Sequence, residues 1–184
     1  MADVKTHIPL RGKFRVEHWR EGKLLRVHEF PNGITTEGKN RLLDVMFHGT
    51  TAHGTWYLGL IDNASFTALA AADNYDNINQ AGNGWDEFDD YTDANNASSA
   101  VTRPTWAEGA AASSSITNST AAIYDITATG TVKGIFAVAG TNAQTKNDHT
   151  AGTAHALWAT ALFNQGDQAV NNGDQLRVTY TVSA

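Results

Sequence analysis

The stretch NNGDQLRVTYTV (residues 171–182) reads as a turn delivered into a strand. Asn-Gly-Asp supplies the turn, because Gly tolerates left-handed backbone and the short amide and carboxylate side chains bond to the chain locally. Leu176, Val178, Tyr180 and Val182 then alternate with polar residues, the period of two that marks a strand with one buried face. Working back toward the N-terminus, the pattern repeats. Residues 154–163 hold Leu157, Trp158, Leu162 and Phe163, and residues 132–139 hold Ile135, Phe136 and Val138. Ala128-Thr129-Gly130 separates the latter from residues 123–127, where Tyr124 and Ile126 alternate with Ile123, Asp125 and Thr127. Strands at turn-punctuated spacing predict a mainly all-β chain, a jelly-roll-like antiparallel β-sandwich over residues 1–184 as a single domain.

The first sixty residues fill in the rest. Residues 12–30 read as a hairpin around Arg20-Glu21-Gly22-Lys23, with Phe14, Val16, Leu25 and Val27 expected to face inward. Pro31-Asn32-Gly33 ends it. A short helix of about three turns follows, capped by Thr35 or Thr36, with Glu37 at its positive end and Gly49 closing it. Its apolar side, Leu42, Leu43, Met46 and Phe47, is expected to lie against a sheet. Residues 55–61 form the strongest strand, apolar on both faces around Gly59, which predicts a central or covered position. Residues 63–100 break the rhythm. Ala68–Ala72 suggests a helical turn, then Asn, Asp, Gly and Ala dominate, and so long an irregular stretch predicts a loop or arm inserted in the sandwich. Its aromatics Trp85, Phe88 and Tyr91 are expected as anchors in a neighbour's pocket. The alternative is that they tuck over their own core.

The segment NGITTEGKNRLLDVMFHGTTAHGTWYLGLID (residues 32–62) resembles a family of tailed-phage virion proteins. The likeness rests on NGIT, EG, LLDV and TWYLGLID, and extends more loosely to RPTW (residues 103–106) and NNGDQLRVTYTV. The resemblance implies a structural protein of the particle and does not fix its position; with the sparse chemistry and the long arm, the expectation is a capsid decoration or cement protein contacting the major capsid protein, the alternative a tail component contacting tail proteins. On that reading a virion location after synthesis in the host cytoplasm, and a homo-oligomer, dimer or trimer, are expected.

Composition narrows the field in the same direction. There are no cysteines, hence no disulfides and no thiolate metal sites. No apolar run is long enough to span a membrane as a helix, and the N-terminus lacks a signal-peptide profile. Residues 1–50 carry nine Lys or Arg against six acids, whereas residues 51–184 carry four against thirteen. This asymmetry predicts a basic hairpin, with Arg11, Lys13 and Arg15 as the candidate docking residues, on an otherwise acidic molecule. Without a dense basic stripe, nucleic acid is not an expected partner.

Candidate chemistry is sparse. The acids Asp86, Glu87, Asp89, Asp90 and Asp93 are adjacent on one loop, which does not set two carboxyls across a sugar ring. Neither they nor residues 73–79 follow the ligand spacing of a calcium loop. The histidine pairs His48/His53 and His149/His155 match no zinc motif. Ser113-Ser114-Ser115 lacks a nucleophile elbow. No catalytic residue, metal or cofactor is therefore expected. Trp19, Trp56 and Trp158 are expected in the core, while Trp85 and Trp106 stay open to a sugar-stacking role.

Overall fold

The computed structural model describes residues 9–80, 82, 84–150 and 154–184. In chain order its elements are β1 (Arg11–Arg20), β2 (Lys23–Pro31), β3 (Gly33–Ile34), helix α1 (Thr36–Phe47) and β4 (Trp56–Asp62). Two short strands follow, β5 (Glu87–Phe88) and β6 (Tyr91–Asp93). Then come β7 (Ala107–Glu108), β8 (Ser115–Thr120), β9 (Ala122–Ile126) and β10 (Gly130–Gly140). The last three are β11 (His155–Leu162), β12 (Gln168–Val170) and β13 (Gln175–Ser183).

Two antiparallel sheets face each other as a sandwich. The first runs β2-β1-β13-β8-β7, with β9 on the other half of β13 and β6 beyond it. The second runs β3-β11-β10-β4-β5, with β12 also on β10. The near-terminal strands β1 and β13 are hydrogen-bonded from Arg11↔Ser183 to Trp19↔Gln175, so the two ends of the chain lock the middle of one sheet. Leu176, Val178, Tyr180 and Val182 do point inward, against Phe14 and Val16 of β1 and Leu58 and Leu60 of β4. Tyr180 stacks on Phe14 at 4.1 Å, and its hydroxyl accepts from Trp158 Nε1 at 2.8 Å.

Strand β4 is central, between β10 and β5, as its two apolar faces predict. Gly59 is required there because a Cβ would sit 2.1 Å from the Phe136 ring. In β2 the inward set is His28 and Phe30, and Leu25 is 50% exposed. A register shift at His18/Trp19 moves the pairing by one residue, which reverses the face expected for Leu25 and Val27. Trp19, expected in the core, instead follows the unbroken alternation of β1 to the outer surface, where Arg177 lies over its ring at 4.6 Å.

Residues 63–100 are not an arm standing off the sandwich. They give β5 to one sheet and β6 to the other, and ahead of both they lay Tyr75, Ile78 and Trp85 on the outer face of the second sheet. These pack with Ile61, Phe136, Val138 and Leu157 into a second core. Among the described residues the helical turn here is Tyr75–Asn77, and residues 68–72 are not helical. The stretch looked irregular because its order comes from side chains closing over a sheet, which leaves no period in the sequence.

Candidate interaction surface

Helix α1 is fastened along one side. Thr35 caps it, accepting from Gly38 N at 3.0 Å while its hydroxyl donates to the Leu157 carbonyl. Glu37 accepts from the backbone N–H groups of Tyr75 (2.9 Å) and Leu157 (2.6 Å), tying helix, second core and β11 together. Burial pushes the Glu37 carboxyl above its usual range, with those two hydrogen bonds opposing the shift. Gly38 is the helix residue fully against the sheet, and a Cβ there would meet the Trp158 carbonyl oxygen at 2.6 Å. At the far end His48 N donates to Asp44 O, and Gly49 turns left-handed at φ +72°.

Apart from Leu42, which reaches Trp56 and Trp158 at its edge, the apolar side of α1 does not meet the sheet, contrary to expectation. Leu42 is 40%, Leu43 55%, Met46 65% and Phe47 81% exposed. Close approach to β11 selects the Gly38, Arg41 and Val45 side, because only a missing side chain lets the helix reach the Trp158 backbone. The large residues are rotated into solvent. Leu42 borders an apolar hollow of about 200 Å³ at the mouth of the sandwich, with half-buried Trp56 and Trp158, Ile116 and Val182. The two tryptophans meet edge to face at 6.1 Å. His53 packs on Trp56 at 5.8 Å, and burial, aided by the charges of Arg41 and His155, lowers its pKa to about 4.

The residues singled out in the sequence are dispersed. Arg11, Lys13 and Arg15 do share the outward face of β1, but Lys13 pairs with Glu29, and Arg15 with Glu17 and Glu29. The face is therefore of mixed charge. Trp85, Phe88 and Tyr91 are corrected from neighbour anchors to core residues, at 1%, 3% and 1% exposure. Trp85 Nε1 donates to Asp73 (3.0 Å), and Tyr91 meets the Tyr124 ring edge-on at 4.9 Å. Trp106 is buried too, donating to the Tyr180 carbonyl at 3.0 Å. Of the acids, Asp93 is buried, accepting from Asn95 N and Thr102, and Asp89 accepts from Asn147.

Two buried polar ties escape a reading of the sequence. Arg103 donates Nε to Glu87 Oε1 at 2.9 Å, Nη2 to Oε2 at 2.7 Å and Nη1 to the Ala143 carbonyl at 2.8 Å. Both side chains are fully buried, with the guanidinium 5.3 Å from the Phe136 ring. Asp174 accepts from His18 Nε2 (2.7 Å), Arg20 Nε (2.6 Å) and Asn171 N (2.8 Å). Burial alone would raise the Asp174 pKa, but the hydrogen bonds from Arg20, Asn171 and His18 hold it well below the usual carboxylate range. The only local signals were an arginine before Pro-Thr-Trp and an aspartate ending an Asn-Asn-Gly turn. Their partners lie 16 and more than 150 residues away.

Compared with known proteins, the chain matches no family model and no curated relative.

Proposed function

We propose that this chain is a non-enzymatic structural protein of a tailed-phage particle, a decoration or cement protein that stabilises the head by bridging capsid subunits. The observation that carries the reading is the surface of α1, which holds Leu42, Leu43, Met46 and Phe47 in solvent. The buried carboxylates Glu87 and Asp174 are meanwhile occupied by internal arginines. Large apolar groups held outward on a capped, anchored helix suit adhesion, since patches of this kind mark interaction sites. The resemblance of residues 32–62 to phage virion proteins supports the setting. Repetition under icosahedral symmetry would let a modest contact act many times over one shell. The row Arg11, Lys13 and Arg15 on β1 is the docking candidate for the major capsid protein, as a mixed-charge patch with Glu17 and Glu29.

The test is imaging of particles that carry the labelled protein, beside particles that lack it. Label distributed over the shell, together with lower heat resistance of the depleted heads, is the expected result. Label at one vertex would replace this reading with a tail, collar or fibre-base component, and absence from particles would end it. A carbohydrate-binding module is the weaker rival, because Trp85, Tyr91 and Trp106 are closed off from any sugar face.

A further inference from the structure

We infer that the outward face of α1 is a two-fold self-association surface whose occupant is the same face of a second copy of this chain. The inference rests on the assembly reading above for its purpose and names the contact by which copies would pair.

At 3.6 residues per turn, Leu42, Met46, Leu43 and Phe47 span an arc of about 140°. Lys39 and Thr36 are the polar residues that share it, and the sheet-facing residues Gly38, Arg41 and Val45 lie on the other side. The face is thus a helix stripe displaced from its own sheet, and it is self-complementary when two copies lie antiparallel. Leu43 then faces Met46 of the second copy, and Leu42 faces Phe47. Charge selects that orientation. The last turn of α1 contains no basic residue, and the cation nearest its negative end, Arg41, is engaged on the Thr51 carbonyl just beyond it. An antiparallel partner brings its Lys39, exposed beside the apolar arc, to that end. A parallel partner would stack the two lysines together and leave both negative ends bare.

Area decides how much of the surface must take part. From the fractional exposures, the four side chains offer about 450 Å² per copy, taking roughly 190 Å² for a whole large side chain. Two copies would bury about 900 Å², short of the roughly 1,200 Å² at which stable interfaces begin. The adjoining mouth of the sandwich, where Leu42 runs into the half-buried Trp56 and Trp158, extends the patch only slightly, so the pair belongs with small, weak interfaces and should form in the micromolar to submillimolar range. Closed-symmetry pairing of one patch with itself is also the commonest mode of association among soluble proteins.

The test uses the full purified chain. Sedimentation from micromolar to submillimolar concentration should show the 19.8 kDa species giving way to one of twice that mass. Leu43→Glu and Phe47→Glu should each weaken the pair by about tenfold or more. Because the chain has no native cysteine, Leu43→Cys with a short bismaleimide should give covalent dimers, and Gln165→Cys in an exposed turn far fewer. This conservative variant decides the matter even if a charged variant unfolds. A chain monomeric throughout, a trimer, a dimer indifferent to both charged substitutions, or equal cross-linking at 43 and 165 would overturn the inference. Particle binding by the charged variants is scored separately, so loss of pairing with retained binding refutes neither the virion reading nor the surface.

Discussion

Replacing Arg103 by methionine should be among the most damaging single changes in this chain. The side chain is fully buried and makes two hydrogen bonds to Glu87 and others to the Ala143 and Asp148 carbonyls. Without it, Glu87 is left, among the described residues, with the Tyr91 hydroxyl at 3.3 Å and Asn147 N at 2.7 Å, too little for a carboxylate out of water. Removing one partner of a buried pair costs about 3–5 kcal/mol, set against a total stability of roughly 5–15 kcal/mol. For a domain of this size each kcal/mol lowers Tm by about 2–4 °C, so the melting point should fall by about 6–20 °C. Arg103→Met combined with Glu87→Gln should cost clearly less than the two single losses added, because the double variant strands no charge. Calorimetry and urea unfolding of the four proteins measure this. A single-variant loss below about 1 kcal/mol, or strict additivity, would refute the argument that the pair holds residues 63–100 onto the sheet.

Three further outcomes follow from the same geometry. Gly38→Ala should force α1 away from β11 and cost about 1–3 kcal/mol, read as a lower melting point with altered Trp158 fluorescence. An unchanged melt would mean that the helix is not held at the Trp158 backbone. The Asp174 carboxyl titrates lower in the folded chain than its unfolded value of about 3.9, so its stabilisation is complete above that pH and disappears as acid protonates the folded group. Asp174→Asn should therefore lower stability at neutral pH and flatten its dependence in strong acid, and a parallel profile for both proteins would count against the tie. For His53, with its pKa down from 6.5 to about 4, the unfolded chain takes up a proton first. Stability should fall as pH drops across that interval, and an NMR titration of the ring should have its midpoint near 4. A midpoint above 6 would show that the ring on Trp56 is open to water.

The sequence by itself determined the β class, the alternation that buries Leu176 to Val182, the central place of β4, and the cap and stop of α1. Each is a local pattern, written by side chains within a few residues of one another, and local periods translate directly into elements. Tertiary structure decided which surfaces those elements present. A single bulge reversed the face of β2, and a glycine against Trp158 turned the apolar side of α1 outward, though its period correctly announced a helix. Residues 63–100 became a second core, and Trp85, Phe88 and Tyr91 went inside, because Glu87 meets an arginine 16 residues on and Trp85 meets a sheet built from distant strands. Burial is a property of neighbours brought together by the whole fold. No stretch of chain carries it alone.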